Sequence, residues 1–288
     1  MNPRDASDAA VINALTIDVE DYFQVSAFES HVSRDSWDSL PCRVEANIER
    51  VLALLAGANV RATFFTLGWI AERYPGLVRQ IIDGGHEIAS HGYAHLRATD
   101  QACGHFLADI RLAKAVLEDI AGTEVKGYRA PSFSVGPRNP WAFDCIVEAG
   151  YRYSSSVYPI RHDHYGVPDA PRFAFEVRKG LLEVPITTVH MLFSNWPAGG
   201  GGYFRLLPYG ISRWSIRRVN LVDRQPAIVS LEAIPVDAKQ EASFELVISY
   251  ADGTSEKLQY FVVPKGTPSN YRSTLPHLTL KPEGGIGL

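Results

Sequence analysis

Two imidazoles stand four residues apart in Ser90-His91-Gly92-Tyr93-Ala94-His95, and three carboxylates cluster in Thr16-Ile17-Asp18-Val19-Glu20-Asp21. Each group follows a short apolar run that reads as a strand end. Imidazoles and carboxylates are the ligands of zinc and its neighbours, which take two or three of them and keep a position open for water. His91 and His95 could supply two ligands, and one of Asp18, Glu20 or Asp21 a third. Such a metal polarises a carbonyl and acidifies a water. A second carboxylate is then free to act as general base. Arg129, arriving from another strand end, would hold that base ionised, because a neighbouring cation lowers a carboxylate pKa. Gly92 argues against a regular helix between the histidines. The sequence is not His-Glu-x-x-His, so the logic of a zinc protease with a helical glutamate base does not apply.

These residues need strands and helices to position them. Ala14 to Ile17 reads as a buried strand. Arg43 to Ala56 reads as a helix, with Val44, Ile48, Val51, Leu52 and Leu55 on one face and Gly57 as its stop. Val60 to Leu67 is a strand, Leu77 to Asp83 a helix, and His86 to Ala89 the strand that leads to the histidines. His105 to Ile120 is a strongly amphipathic helix. Val125 to Tyr128 is a strand, Pro140 to Ala149 a helix, and Tyr151 to Ser155 and Leu181 to Val189 further strands. This alternation argues for parallel βαβ units. The polar candidates fall past strand ends, the arrangement of a (β/α) barrel rim. No phosphate-binding glycine motif supports a nucleotide-binding sheet.

The pattern changes near Ala227. Ala227 to Ile234, Phe244 to Tyr250 and Lys257 to Val263 read as strands alone, and Asp252-Gly253 supplies turn chemistry for a hairpin. The expected organisation is a disordered stretch over 1–12, an α/β barrel over 13–226, and a β-rich segment over 227–288. The proline-rich tail from Pro264 is expected to be loosely ordered.

The 288 residues are 46% hydrophobic and 21% charged, enough for one large core. A net charge of -4 gives no nucleic-acid surface. Cys42, Cys103 and Cys145 are odd in number and widely spaced, which suggests neither a disulfide framework nor a thiolate zinc site. No apolar run approaches the ~20 residues of a membrane span, and no signal-peptide pattern opens the chain. A cytoplasmic location is expected.

Gly199-Gly200-Gly201-Gly202-Tyr203-Phe204-Arg205 could bring backbone close to a ligand, with Tyr203 as a stacking face for a sugar. His162 and His164 read as surface or substrate contacts, and His190 as a rim histidine at a strand end.

Six stretches carry a family resemblance: residues 16–23 (Thr-Ile-Asp-Val-Glu-Asp-Tyr-Phe), 61–66 (Arg-Ala-Thr-Phe-Phe-Thr), 85–95 (the histidine motif and its strand), 128–133 (Tyr-Arg-Ala-Pro-Ser-Phe), 151–156 (Tyr-Arg-Tyr-Ser-Ser-Ser) and 200–205 (Gly-Gly-Gly-Tyr-Phe-Arg). In this order the chain from Asn13 to Pro226 resembles the polysaccharide deacetylases with a NodB homology domain. It is most similar to the branch associated with exopolysaccharide and protein-sorting loci. The resemblance implies a distorted, incomplete (β/α) barrel that removes N-acetyl groups from an amino-sugar polysaccharide, with a divalent metal: zinc first, then cobalt, manganese or nickel. It implies Asp18 as general base, His91 and His95 as ligands, and Arg129 as the residue that orients Asp18. Glu20 is implied as the third ligand, with Asp21 as the fallback. Tyr22, Phe23, Pro131, Ser132 and Phe133 would line the groove, joined by Ser155 and Tyr203. The family's general-acid histidine on the last barrel strand has no counterpart in Ile228-Val-Ser-Leu-Glu-Ala-Ile-Pro235. A non-catalytic glycan-binding or scaffold protein, and a hydrolase of small amides or cyclic imides, stand as alternatives.

Overall fold

The computed structural model describes residues 12–25, 28–29, 31–162, 165–232, 247–249 and 255–257. The chain opens with β1 (Ala14–Val19), whose alternation sorts the acidic residues from the core. Successive side chains in a strand point to opposite faces. Thr16, Asp18 and, just past the strand, Glu20 share one face, while Ile17 and Val19 are buried on the other. After a short 3-10 turn that buries Trp37, α1 (Val44–Gly57) presents Val44, Ile48 and Leu55 to the core. Its first turn lacks a local side-chain cap. Asp21 supplies one from a distance, accepting the backbone N–H of Arg43 and, at 2.9 Å, of Val44.

The chain then runs through β2 (Thr63–Thr66), α2 (Gly68–Arg73), α3 (Pro75–Asp83), β3 (Glu87–Ser90), α4 (Cys103–Ala121) and β4 (Gly127–Tyr128). Next come α5 (Trp141–Glu148), β5 (Tyr153–Ser154), β6 (Phe175–Arg178), β7 (Leu181–Glu183), and the hairpin β8 (Thr188–Met191) and β9 (Ser194–Pro197). Two helices, α6 (Gly201–Leu206) and α7 (Tyr209–Arg218), precede β10 (Ile228–Glu232). Pro75 opens α3, where a missing N–H costs nothing, and Gly122 ends α4 in the left-handed conformation that glycine tolerates.

The main sheet has the order β10-β1-β2-β3-β4-β5-β7-β6, parallel except for the antiparallel β6 edge. β10 lies parallel to β1, with Ala14 opposite Ile228 and Asp18 opposite Glu232. The expected barrel architecture is present as a curled α/β sheet. Among the described residues, no ladder forms between β7 and β10. Irregular chain bridges them instead: Thr187 N–H donates to Ile228 O at 3.3 Å, and Ser230 N–H donates to Gly199 O at 2.6 Å. A Cβ on Gly199 would sit 2.3 Å from Ile228 O, so glycine is required there. This is where the glycine run brings backbone close to β10.

The strand expected over Leu181 to Val189 breaks at Pro185 into β7 and β8, because proline cannot donate to a ladder. The division expected after Pro226 leaves β10, a strand of the main sheet, on its far side. The expected C-terminal hairpin appears as β11 (Val247–Ser249) paired antiparallel with β12 (Ser255–Lys257). Its turn, most of the third strand expected there, the proline-rich tail and residues 1–11 lie outside the described residues.

Candidate metal centre and active site

Glu20, His91 and His95 converge from two strand ends, with their ligand atoms all within 4.8 Å of one another. All three are buried. The histidine loop is fixed at both ends by left-handed backbone, Gly92 at φ 78° and His95 at φ 52°. Asp109, from α4, clamps the loop between them by accepting Tyr93 N–H at 2.9 Å and Ala94 N–H at 3.2 Å. A left-handed non-glycine residue is costly, and such strain persists only where the surroundings impose it.

The protonation states suit a metal. His91 Nδ1 lies 2.9 Å from the Arg129 carbonyl. A carbonyl only accepts, so Nδ1 carries the proton and Nε2 offers its lone pair toward Glu20, 3.8 Å away. Burial pushes the His91 pKa down to about 3, so the ring is neutral at pH 7. Glu20 Oε2 is 2.7 Å from His95 Nε2, yet it is buried and accepts no well-aligned hydrogen bond. A buried carboxylate oxygen without a partner is expensive. Two imidazoles and a carboxylate arranged around that orphaned oxygen fit a divalent metal.

Asp21 is committed elsewhere. Besides capping α1, it accepts Tyr22 N–H at 2.7 Å and the Cys42 thiol at 3.0 Å. It follows Glu20 directly and so turns away from the face that Asp18 and Glu20 share.

Asp18 shares the face of Glu20 with a different partner. Its Oδ1 accepts from Arg129 Nη1 at 2.6 Å. Arg129 is fully buried, and its remaining donors are also engaged. Nη1 reaches Ser230 Oγ at 3.0 Å, Nε reaches Ser155 O at 3.1 Å, and Nη2 reaches Ser155 Oγ at 2.9 Å. The guanidinium carbon lies 4.0 Å from the Phe65 ring centroid. Burial raises the Asp18 pKa more than Arg129 lowers it, so the net direction is up. Arg129 acts in the expected direction, lowering the Asp18 pKa, but it opposes a larger desolvation effect.

Comparison with known proteins places this arrangement. The family model described as polysaccharide deacetylase matches residues 35–153, and a domain of unknown function, DUF3473, matches residues 155–250. Over residues 35–153 the chain is similar to the polysaccharide deacetylases. A peptidoglycan-N-acetylglucosamine deacetylase of Bacillus cereus is 35% identical over 103 residues, which cover 36% of this chain and 46% of the relative. A chitooligosaccharide deacetylase of Azorhizobium caulinodans is 35% identical over 82 residues, covering 28% and 39%. The matched stretch thus spans less than half of each relative's length. A crystal structure of a Mycobacterium smegmatis protein assigned to the polysaccharide deacetylases shares the fold, at TM-score 0.53 and 23% identity over 77% of this chain and 76% of that one. The DUF3473 match crosses Pro226 and takes in β10.

Around this centre, the residues expected to line a groove divide into two groups. Phe133 and Tyr203 come together through Tyr158, at ring-centroid distances of 5.6 Å and 6.2 Å, and Tyr165 adds a further face 5.8 Å from Phe133. Pro131 is buried, and Ser132 and Phe133 follow it with φ near 50°, which turns the chain sharply beside Arg129. Tyr22 is half-buried under the Arg43 guanidinium, 5.0 Å from its ring centroid. Phe23 belongs to the core: it is 1% exposed and packs on Trp37 and Trp69. Ser155 is buried and serves Arg129 rather than the groove. His190 lies exposed on the β8–β9 hairpin, 2.9 Å from Asn195 Oδ1.

Sequence reasoning missed Ser230, Asp109, Glu183 and Tyr158. Asp109 had a signal, an acid three residues after Phe106 on the buried face of an amphipathic helix. Glu183 had one too, a carboxylate in an apolar strand. Ser230 and Tyr158 had none.

Proposed function

We propose that this chain removes N-acetyl groups from amino sugars of a polysaccharide or oligosaccharide as a metal-dependent hydrolase. The observation that carries the reading is the pair of buried carboxylates on one strand face, Asp18 gripped by a cation and Glu20 facing two imidazoles. The relatives named as peptidoglycan and chitooligosaccharide deacetylases support the substrate class.

Glu20, His91 and His95 would hold a divalent ion, zinc first and cobalt, manganese or nickel next, which supplies Lewis acidity toward the acetamide carbonyl and acidifies a water. Asp18 accepts the proton of the attacking water. Its raised pKa brings it closer to the operating pH, which is where a general base works best. Arg129 fixes the Asp18 carboxylate in one orientation through Oδ1, and Ser155 and Ser230 fix Arg129. Phe133, Tyr165 and Tyr203, packed around the buried Tyr158, offer faces for sugar rings.

The leaving nitrogen needs a proton. Among the described side chains of β10, Ile228, Val229 and Ser230, none is an acid. Asp18, once protonated, is the carboxyl beside the ligands that can return it. Lack of a separate acid typically costs ~10²–10⁴-fold in rate. That same observation favours the second reading, a barrel that binds glycan without turning it over.

The deciding experiment is acetate release from N-acetylglucosamine oligomers by protein stripped of metal and then given zinc or cobalt. Release that requires the metal supports the hydrolase. Glycan binding with bound metal and no release, at high protein concentration, would replace it with the binding module.

A further inference from the structure

Three widely spaced cysteines gave no sign of pairing, yet the fold brings two of them together. Cys103 is the first residue of α4 and is exposed; Cys145 lies in α5 and is buried. Their sulfurs are 2.9 Å apart as free thiols. A disulfide needs about 2.05 Å between sulfurs, so closure asks for less than ~1 Å of movement.

The two helices are held in this relation by contacts that do not involve sulfur. Phe106 of α4 meets Trp141 of α5 edge-on at 5.6 Å. Arg111 pairs with Glu148 at 2.9 Å, and the Tyr151 hydroxyl donates to Ile110 O at 2.8 Å. The thiols are therefore set against each other by packing on several sides. The third cysteine is tied up elsewhere. Cys42 donates to Asp21, and burial together with that carboxylate pushes its thiol up to about 11.

We infer that Cys103 and Cys145 form a redox modification site, closed to a disulfide by exchange with a small-molecule disulfide such as oxidised glutathione. Cys103, as its thiolate, attacks one glutathione sulfur; the glutathione S–S bond breaks and one glutathione leaves as thiol. Cys145, on losing its proton, attacks the Cys103 sulfur and releases the second glutathione. Two protein thiols are oxidised, one glutathione disulfide is reduced to two thiols, and the two protons end on glutathione. The burial that raises the Cys145 thiol to about 12 keeps it unreactive toward bulk reagent, while its contact with Cys103 lets it resolve the adduct. The bridge would anchor the first turn of α4, the helix whose Asp109 clamps the His91–His95 loop.

The test incubates reduced, folded full-length protein with oxidised glutathione, alkylates free thiols and maps peptides without reduction. The expected result is a Cys103–Cys145 cross-link with Cys42 still alkylated, formed faster in folded than in urea-unfolded protein. Melting of the oxidised protein should rise by roughly 5–15 °C. Cys103→Ser, an exposed position, should abolish both the cross-link and the rise, and Cys42→Ser should abolish neither. A lasting glutathione adduct on Cys103, cross-links that engage Cys42 equally, or equal rates in folded and unfolded protein would overturn the inference.

Discussion

Asp18 and Glu20 lie two residues apart on the same face of one strand, and each residue is 5% exposed. Their surroundings differ in kind. Asp18 meets a fully buried guanidinium each of whose nitrogens is engaged. Glu20 meets two imidazoles, and one of its oxygens is orphaned. Equal burial with unequal satisfaction is the basis for the proposed roles, Asp18 handling protons and Glu20 receiving a cation. The first is complete within the protein. On the proposed reading the second is completed by a metal.

The strongest way to break this comparison is Glu20→Gln. The amide keeps shape but loses the charge and one acceptor. We expect metal content, measured by atomic emission after dialysis, to fall to background, and acetate release with it. A variant that retained stoichiometric metal would remove Glu20 from the ligand set. Asp18→Asn should behave differently. Metal should stay bound while turnover drops by ~10²–10⁴-fold, the usual contribution of a general base. Full activity in that variant would take the base role from Asp18, whereas lost metal would collapse the distinction between the two carboxylates.

Arg129→Met sharpens the comparison from the other side. It leaves Asp18 buried without its cation, and breaking one partner of a buried pair costs about 3–5 kcal/mol. The double variant Asp18→Asn with Arg129→Met removes the stranded charge, so urea unfolding should find it more stable than Arg129→Met alone. Equal stability of the two would mean that Asp18 is already neutral in the folded protein, or that the cost comes from the other Arg129 hydrogen bonds.

Much of this centre was legible in the sequence, because strand alternation and motif spacing are local. The positions of Asp18, Glu20, His91 and His95 followed from apolar runs ending at polar residues. So did the parallel βα order, since helices such as α1 and α4 carry their buried faces at regular spacing. The features that were not legible depend on distant packing. Ser230 reaches Arg129 only because β10 pairs with β1, and those residues are 101 apart in sequence. Phe23 reads as a groove aromatic beside the acids, but three dimensions place it between Trp37 and Trp69. Asp21 stood as the fallback to Glu20 until the N-terminus of α1 claimed it. The cysteine pair came together for the same reason: α4 packs on α5.

Glu183 extends the comparison to a third buried carboxylate, with neither a cation nor imidazoles. It is fully buried at the end of β7, and its Oε1 accepts the N–H groups of Ser156 and Val157 at 2.9 Å and 2.8 Å, while its Oε2, like that of Glu20, has no hydrogen-bond partner among the described residues. Those bonds hold the turn that carries Ser155 to Arg129. Burial outweighs them and raises the Glu183 pKa above the usual glutamate value. A carboxyl raised in the folded state favours folding most in its neutral form. Its contribution is complete below the unfolded pKa and is lost as pH rises through the folded value, about 1.4 kcal/mol for each tenfold difference in proton affinity between the two states. Glu183→Gln keeps an acceptor for both N–H groups and cannot ionise. The stability of the natural protein relative to this variant, measured by urea unfolding, should therefore decline as pH rises from below the ordinary glutamate range toward neutrality. A constant difference across that range would show that the backbone N–H groups fully offset desolvation at Glu183. A buried carboxylate in this fold would then need neither cation nor metal, and the case for Glu20 as a ligand would rest on the two imidazoles that face it.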